Sequence, residues 1–214
     1  MAKKLDEPQE RGDFFKSLGT LFAGFVANRI EDAVTGLGPK LLRPPGALDE
    51  FEFLTKCTRC DKCVRACPEN AIFKAGPGAG LALKTPTIDP RSIPCFLCTT
   101  LPCIPACDDG ALLWPTLIRA DGTEVEGPKA VRMGTAHIKQ SLCVTWETLD
   151  HEARACRICV DRCPYPEEAL RMVAEEGDAH PHPVVDAEVC TGCGLCVFSC
   201  PAEPPAIIIE PRRG

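Results

Sequence analysis

The sequence predicts an α+β fold in which one small cysteine-rich module is built twice, after an N-terminal helix and an extended linker. The chain has 214 residues, and its 16 cysteines fall into four groups of four. Each group is followed by a short apolar run, and each later group is preceded by an extended, polar or proline-bearing segment. Only nine Phe, two Trp and one Tyr are present, so bound metal is expected to supply part of the core, and the metal-free chain to fold poorly.

The spacing of the cysteines indicates what they bind. The first and last groups both read C-x2-C-x2-C-x3-C-P, at Cys57, Cys60, Cys63 and Cys67, and at Cys190, Cys193, Cys196 and Cys200. This is the bacterial run that binds [4Fe–4S] clusters. The middle groups are Cys95, Cys98, Cys103 and Cys107, then Cys143, Cys156, Cys159 and Cys163. No cysteine is left over, so four clusters are predicted.

Zinc and disulfides are the competing readings of so many cysteines. Structural zinc sites usually pair two C-x2-C hooks across a longer loop. The first and last groups here concentrate three ligands within seven residues, which favours iron–sulfur clusters over zinc. A disulfide scaffold would not be expected to repeat three closely spaced thiols followed by a fourth and a proline.

The repeated rhythm of strand, ligand loop, short helix and strand is that of a bacterial-type 2[4Fe–4S] ferredoxin. We expect two such modules, residues 51–120 and 130–214, with residues 121–128 as a hairpin or linker. In a ferredoxin run the fourth cysteine binds the other cluster of the pair. This rule predicts a first site of Cys57, Cys60, Cys63 and Cys107, a second of Cys95, Cys98, Cys103 and Cys67, a third of Cys143, Cys156, Cys159 and Cys200, and a fourth of Cys190, Cys193, Cys196 and Cys163.

The third site has an alternative reading, because Cys143 lies far upstream of Cys156. Cys143 could be a spare core thiol beside a three-iron cluster. The sixteen cysteines form four complete sets of four ligands only if Cys143 is a ligand, so the four-iron interpretation is preferred. His137, His151, His180 and His182 are interpreted as surface or capping residues.

The first 50 residues contain no cysteine. Apolar residues at three- and four-residue spacing predict a helix over residues 14–34, followed by a proline-rich linker over residues 39–50. The uncharged stretch of residues 17–28 is too short to span a bilayer. We expect this helix to dock on a partner or on the membrane surface, or more simply to pack on its own domain.

The same segment could instead be an export signal. Gly12 follows Arg11 where a twin-arginine signal has its second arginine. A cytoplasmic location, with possible membrane association, is therefore expected, and periplasmic export by a degenerate signal is the alternative. The net charge of −6 disfavours nucleic acid as a partner and favours a basic surface on a redox protein.

Several motifs resemble the ferredoxin-type NapG/MauM family, which comprises four-cluster proteins associated with periplasmic nitrate reductase and methylamine utilisation. The matching segments include Arg43-Pro-Pro-Gly-Ala-Leu, Phe53-Leu-Thr-Lys-Cys-Thr-Arg-Cys, Ile93-Pro-Cys-Phe-Leu-Cys and Cys156-Arg-Ile-Cys-Val-Asp-Arg-Cys-Pro. The resemblance covers about residues 40–212. It implies electron transfer between a quinol-side membrane partner and a terminal reductase or maturation system.

These observations predict an electron-transfer subunit of an oxidoreductase complex, with no substrate of its own. It would relay single electrons through its clusters between an electron donor, for which a membrane quinol dehydrogenase is a candidate, and a catalytic subunit. An enzyme would need an open iron site or a second cofactor, and no cysteine set is visibly short of a ligand. A redox sensor, or a structural protein stapled by its clusters, is the remaining alternative.

Overall fold

The computed structural model describes residues 40–146, 155–174 and 180–212. Within these ranges the α-helices are α1 (Glu50–Lys56), α2 (Lys62–Ala66), α3 (Ile158–Asp161) and α4 (Leu195–Phe198). The strands are β1 (Phe73–Lys74), β2 (Pro86–Thr87), β3 (Thr116–Ile118), β4 (Glu124–Glu126), β5 (Gly134–Ile138), β6 (Leu170–Val173), β7 (His182–Val185) and β8 (Ile207–Pro211). Short 3₁₀ turns occupy Pro77–Ala82, Gly127–Ala130 and Gln140–Leu142. The helix predicted over residues 14–34 lies outside the described residues.

The strands form two-stranded antiparallel pairs, which agrees with the expected mixture of helices and strands. β1 pairs with β2, β3 with β4, β5 with β8, and β6 with β7. The β5–β8 pair joins the start of the second half to its end, with Gly134 opposite Pro211 and Ile138 opposite Ile207. The β6–β7 pair and both short helices of this half lie between these strands in sequence. Among the described helices, none is long and apolar enough to cross a bilayer.

Helix α1 leads into the first cysteine group. The Asp49 side chain caps it by accepting a hydrogen bond from the Glu52 N–H at 2.9 Å. Acidic residues in the first turn and Lys56 in the last complement the helix dipole. Phe53 is fully buried, and Cys57 follows directly as the C-cap in extended conformation. The helix therefore anchors the first ligand loop to the core.

The segment just before α1, expected to be part of a linker, packs into the first half of the protein. Leu42 forms a β-bridge with Ile88, and Ala47 forms one with Leu112. Gly46 has a φ of +75°, and a Cβ added there would lie 2.0 Å from the carbonyl oxygen of Leu113. Only glycine fits this approach, which accounts for its place in the Arg-Pro-Pro-Gly-Ala-Leu motif.

Arg43 locks this segment in place. Its side chain donates to the two carboxylate oxygens of Glu50 at 2.5 and 2.8 Å, and to the Thr85 hydroxyl and the Pro86 carbonyl oxygen at 2.8 Å each. The guanidinium also lies 4.6 Å from the centre of the Phe53 ring. Arg43 is only 7% exposed, so these partners compensate for the loss of hydration of a buried charge.

The two halves of the chain share the larger hydrophobic core. Buried residues of the first half, among them Phe53, Leu101 and Leu112, pack together with Val131, Met133 and Cys193 of the second half. A smaller core in the second half is centred on Val160, Leu170, Val197 and Ile207. The two halves of the chain therefore pack on one another. The bounds of the two modules, residues 51–120 and 130–214, remain a prediction from the sequence.

The segment between the halves forms a hairpin. β3 and β4 pair with Thr116 opposite Glu126 and Ile118 opposite Glu124. Gly122 lies in the turn with a φ of +82°, a conformation that favours glycine. The sequence predicts a hairpin or a linker at residues 121–128, whereas in the structure the hairpin begins five residues earlier, at Thr116.

Candidate iron–sulfur sites

The sixteen cysteines lie around four cavities, four to a cavity. The grouping is the one that ligand exchange between neighbouring runs predicts. The first cavity is lined by Cys57, Cys60, Cys63 and Cys107, the second by Cys67, Cys95, Cys98 and Cys103, the third by Cys143, Cys156, Cys159 and Cys200, and the fourth by Cys163, Cys190, Cys193 and Cys196. That each set binds a cluster remains a prediction.

The four cavities are alike in size. The open space at each site, including the part that faces solvent, is about 370, 350, 420 and 360 Å³ for the first to fourth sites, which fits four occupants of one kind. Four thiolates on a single zinc ion would all lie about 2.3 Å from it, which leaves no cavity between them. A cubane held at its four iron corners instead needs thiols spread around a space. Within the described ranges, no three His, Cys, Asp or Glu side chains converge on a point that would hold one ion.

Short helices and tight loops place the ligands. Cys63 lies inside α2 and Cys67 caps its end, so one helical turn separates a thiol of the first cavity from one of the second. The same spacing separates Cys196 from Cys200 and Cys159 from Cys163, where the second cysteine directly follows the C-cap of α4 and of α3. The exchange of the fourth cysteine thus follows from the length of one turn.

Burial divides the sites into two classes. In the second site Cys95 and Cys103 are buried, and in the fourth site Cys193 and Cys196 are buried. The first site has one buried thiol, Cys63, and its Cys60 is exposed, whereas all four thiols of the third site are half-buried. The second and fourth sites are therefore the less accessible to solvent.

Burial also raises the pKa of many of the thiols, because a thiolate without a cation is disfavoured away from water. It raises the pKa of Cys95, Cys103 and Cys159 to about 12 and that of Cys63 and Cys193 to about 11. Burial and neighbouring thiols also raise the pKa of Cys196 well above its ordinary value. These thiols lose their protons at neutral pH only when a cation, such as the iron of a cluster, compensates for the charge.

Backbone and side-chain donors reach several of the sulfurs. The N–H of Ala71 donates to Cys67 Sγ at 3.3 Å, and the N–H of Ala206 donates to Cys200 Sγ at the same distance. Ala136 N–H donates to Cys190 Sγ at 3.4 Å. Hydrogen bonds to the ligand sulfur stabilise the thiolate and tune the potential of an iron–sulfur cluster. The cavities therefore fit [4Fe–4S] clusters in donor chemistry.

The third site has a contact that the sequence did not suggest. The Sγ of Cys143 lies 3.2 Å from the Thr145 hydroxyl, and Thr145 is only 1% exposed. A threonine two residues after a ligand is a weak signal, because nothing in the sequence shows which way its hydroxyl points. Its burial is what marks it as part of the site.

Basic residues border the first site. Arg59 lines the cavity and donates to the carbonyl oxygens of Leu81 and Leu83 at 3.1 and 3.0 Å. Lys62 pairs with Asp108, and the pairing raises the pKa of Lys62. Arg59 is thus held beside the cavity by neutral acceptors, whereas the charge of Lys62 is partly compensated.

The histidines of the described residues are not among the residues that line the four cavities. His137 is 3.5 Å from Glu210, and the ring of His182 stacks on that of Trp146 with 4.3 Å between centroids. His151 lies outside the described residues.

The cysteine arrangement agrees with comparisons to known proteins. Residues 56–111 match the family profile described as "4Fe-4S dicluster domain", and residues 181–202 match the one described as "4Fe-4S binding domain". The chain is 34% identical over 205 residues to the ferredoxin-type protein NapG of Escherichia coli strain K12, covering 93% of this chain and 83% of that protein. It belongs to the NapG/MauM family of ferredoxin-type proteins.

Members of the MauM branch are equally similar. The methylamine utilization ferredoxin-type protein MauM of Methylorubrum extorquens is 35% identical over 197 residues, covering 91% of this chain and 83% of the relative. The corresponding protein of Methylophilus methylotrophus is 36% identical over 220 residues, covering 100% and 91%. These NapG/MauM proteins are named as ferredoxin-type proteins, and an iron–sulfur electron-transfer role without catalysis follows for this chain.

Proposed function

We propose that this protein relays single electrons through four [4Fe–4S] clusters between a redox partner and an oxidoreductase. When bound, each cluster accepts and returns one electron, and the protein supplies thiolates, N–H donors and a partly dry environment. The observation that carries the proposal is the division of all sixteen cysteines into four complete sets around four similar cavities.

Complete ligand sets favour an electron carrier over a catalytic iron–sulfur protein. A cluster that binds substrate needs an iron without a protein ligand, and each cavity here has a thiol for every iron of a cubane. Clusters with a purely structural role would not need to lie close together. Here one helical turn carries Cys63, a ligand of the first site, and Cys67, a ligand of the second. This arrangement keeps the two clusters close enough for electrons to pass.

The partners follow from the family. The MauM relatives are named for methylamine utilisation, and the family resemblance also implies a nitrate reductase system, so we propose that the donor is a quinol-side dehydrogenase and that the acceptor is a reductase or maturation enzyme. The acidic net charge of −6 fits a basic docking surface on one of these partners. A cytoplasmic protein would serve an oxidoreductase on that side of the membrane, and an exported one a periplasmic enzyme. Cell fractionation with marker enzymes distinguishes these locations.

Metal analysis of anaerobically purified protein tests the proposal. About sixteen iron atoms and as many sulfides are expected per chain, four of each per cluster. Stepwise reduction followed by EPR should show all four clusters accepting electrons. Clusters that resist every reductant would favour a structural role instead.

The third site needs its own experiment, because Cys143 is separated in sequence from the ligands that it joins. Cys143→Ser should lower the iron content or convert the third cluster to a three-iron form with its own EPR signal. A matched control is Ser141→Ala, two residues away and exposed, which should leave iron unchanged. Full iron and an unaltered spectrum in Cys143→Ser would contradict the assignment of Cys143.

A further inference from the structure

Within each half, neighbouring sites are joined by a short helix, with a ligand of one site inside the helix and a ligand of the other at or just after its C-cap. α2 joins the first site to the second through Cys63 and Cys67. α4 joins the fourth to the third through Cys196 and Cys200.

A backbone contact joins the two halves at their ligand loops. The N–H of Cys95, which lines the second cavity, donates to the carbonyl oxygen of Cys193, which lines the fourth, at 2.9 Å. Cys193 is 7% exposed and belongs to the same core as Cys95. The second and fourth sites therefore face each other across one hydrogen bond.

Close packing next to this bond holds the loops together. Gly194 has a φ of +85°, and a Cβ added there would lie 2.4 Å from Cβ of Pro90. On the other side of the loop, Met133 N–H donates to the carbonyl oxygen of Thr191 at 2.9 Å. The absence of a side chain at Gly194 is what allows the loop of the fourth site to approach the segment that leads to Cys95.

We infer that the four sites form one unbranched row in the order first, second, fourth, third, and that the contact between Cys95 and Cys193 is the junction between the halves. This inference rests on the proposed function, since the row matters only if all four sites hold clusters. The second and fourth sites are then the inner sites, and the first and third are the outer sites. Electrons that pass from one outer site to the other must cross the junction.

The burial of the thiols agrees with this order. The inner sites contain two buried cysteines each, whereas the first site contains one buried and one exposed cysteine and the third site contains none that is buried. Sites at the ends of a row have fewer protein neighbours, so their ligands are expected to be more exposed. A partner that docks for electron transfer would therefore approach the first or the third site.

Magnetic coupling between reduced clusters tests the order, because it falls steeply with the distance between neighbours. Cys190→Ala and Cys156→Ala form a matched pair, because both cysteines are half-buried. Cys190 is the first cysteine of the last run, and Cys156 is the first of the three closely spaced cysteines in the third group. Cys190→Ala should remove the fourth cluster and leave the third without a coupled neighbour. Cys156→Ala should remove the third cluster and leave the second and fourth coupled.

The opposite pattern would overturn the row. A third cluster that stays coupled in Cys190→Ala would have to lie beside the second, as it would in sequence order. If the second and fourth clusters were no longer coupled in Cys156→Ala, the third site would have to lie between them. Iron content separates this failure from that of the proposed function: fewer than four clusters in the unaltered protein would sink the proposed function, whereas four clusters with the wrong coupling would sink only the row.

A second variant decides the matter if either ligand variant fails to fold. Gly194→Ala keeps every cysteine but should push the junction loops apart, weakening the coupling between the second and fourth clusters while coupling within each half persists. Gly122→Ala is the control, because Gly122 has a similar φ of +82° with nothing within 4 Å of an added Cβ. Adding Pro90→Gly to Gly194→Ala should restore the coupling, because it removes the side chain that the new Cβ would meet. If Gly194→Ala acted only through an unfavourable backbone conformation, Pro90→Gly would not restore the coupling. Coupling that is unchanged in Gly194→Ala would contradict the junction.

Discussion

The inner and outer sites use the same four-thiol chemistry in different surroundings. Cys193 of the fourth site is buried in the core that both halves share, next to Cys95 of the second. Cys60 of the first site is exposed, and the third site has no thiol in the buried class. The comparison teaches that an inner site serves the fold as well as the electron path, whereas an outer site is free to meet a partner.

The largest difference is expected when one ligand is removed from each class. Cys193→Ala should reduce iron by more than the quarter that one cluster represents, because it leaves a hole in the shared core and disturbs the second site as well. Cys60→Ala should cost at most about that quarter. Iron and sulfide per folded chain, with thermal unfolding of each variant, measure the difference. Equal losses in the two variants would show that the inner sites are no more structural than the outer ones.

A pH titration should separate the classes through the protons that their thiols hold. Burial raises the pKa of Cys95 and Cys103 to about 12 and that of Cys193 to about 11, and it raises the pKa of Cys196 well above the ordinary thiol value. Each of these thiols must release a proton to bind iron, so iron binding weakens as pH falls anywhere below about 11. For the cluster-free fold the sign is reversed, and its stability is lost as pH rises from the ordinary thiol value of 9.0 through about 11 to 12.

Iron retention in competition with a chelator between pH 8 and 10 measures this effect. Retention should rise with pH throughout the range, and more steeply for the inner sites, which have two strongly shifted thiols each. In the outer sites a value near 11 or 12 applies to Cys63 and to Cys159. A retention curve that is flat over this range would contradict the account of the buried thiols.

Packing beside an inner and an outer site should differ in its effect on stability. Leu101 is 1% exposed and lines the second cavity, so Leu101→Ala should lower the free energy of unfolding by about 2–5 kcal/mol. Ile158 begins α3 beside Cys159 of the third site and is 39% exposed, so Ile158→Ala should cost less than about 1 kcal/mol. Denaturant unfolding of the cluster-loaded proteins checks both values. A larger loss for Ile158→Ala would reverse the comparison.

Much of the site could be predicted from the spacing of the cysteines, because ligand spacing reflects the length of one helical turn. The grouping of Cys67 with Cys95, Cys98 and Cys103 follows from the ferredoxin rule of the exchanged fourth ligand. The contact between Cys95 and Cys193 could not be predicted. It joins residues 98 positions apart, and no periodicity encodes which loops of two similar halves will meet.

The fold shows the same division between local and long-range information. The turn at Gly122 follows from turn preferences in the sequence and lies in a segment expected to be a hairpin or linker. The cap at Asp49 is likewise a local signal, although no helix was expected after it. The burial of Pro44 and Pro45 does not follow from local signals, since a proline-rich segment is typical of a linker. It depends on the partners that Arg43 finds at Glu50, Thr85 and Pro86, and two of these lie more than 40 residues away.

Access by small molecules should also distinguish the classes, by a smaller margin. Slow oxidation or chelation at neutral pH should attack the first and third clusters before the second and fourth, because the outer thiols are less buried. EPR spectra recorded during the loss identify which signals disappear first. Early loss of the inner signals would show that burial in the structure does not protect the clusters.

The smallest effect is expected from a single charge at the outer end of the row. Lys62→Gln removes a cation beside the first site, which should lower the midpoint potential of that cluster. Because Lys62 already pairs with Asp108, the shift should stay below about 59 mV, a tenfold change for one electron. Lys40→Gln, which breaks a similar exposed pair with Glu210, is the control. A shift in the potential of the second or fourth cluster instead would contradict the placement of Lys62 beside the first site.

The arrangement of the clusters can be measured directly by anomalous scattering from iron in crystals of the anaerobically prepared protein. Four cluster positions, each of four irons, are expected in one row, and each should be surrounded by the four cysteines of its cavity, with the second and fourth clusters adjacent at the bond between Cys95 and Cys193. Fewer than four cluster positions, or a third cluster next to the second, would contradict the account.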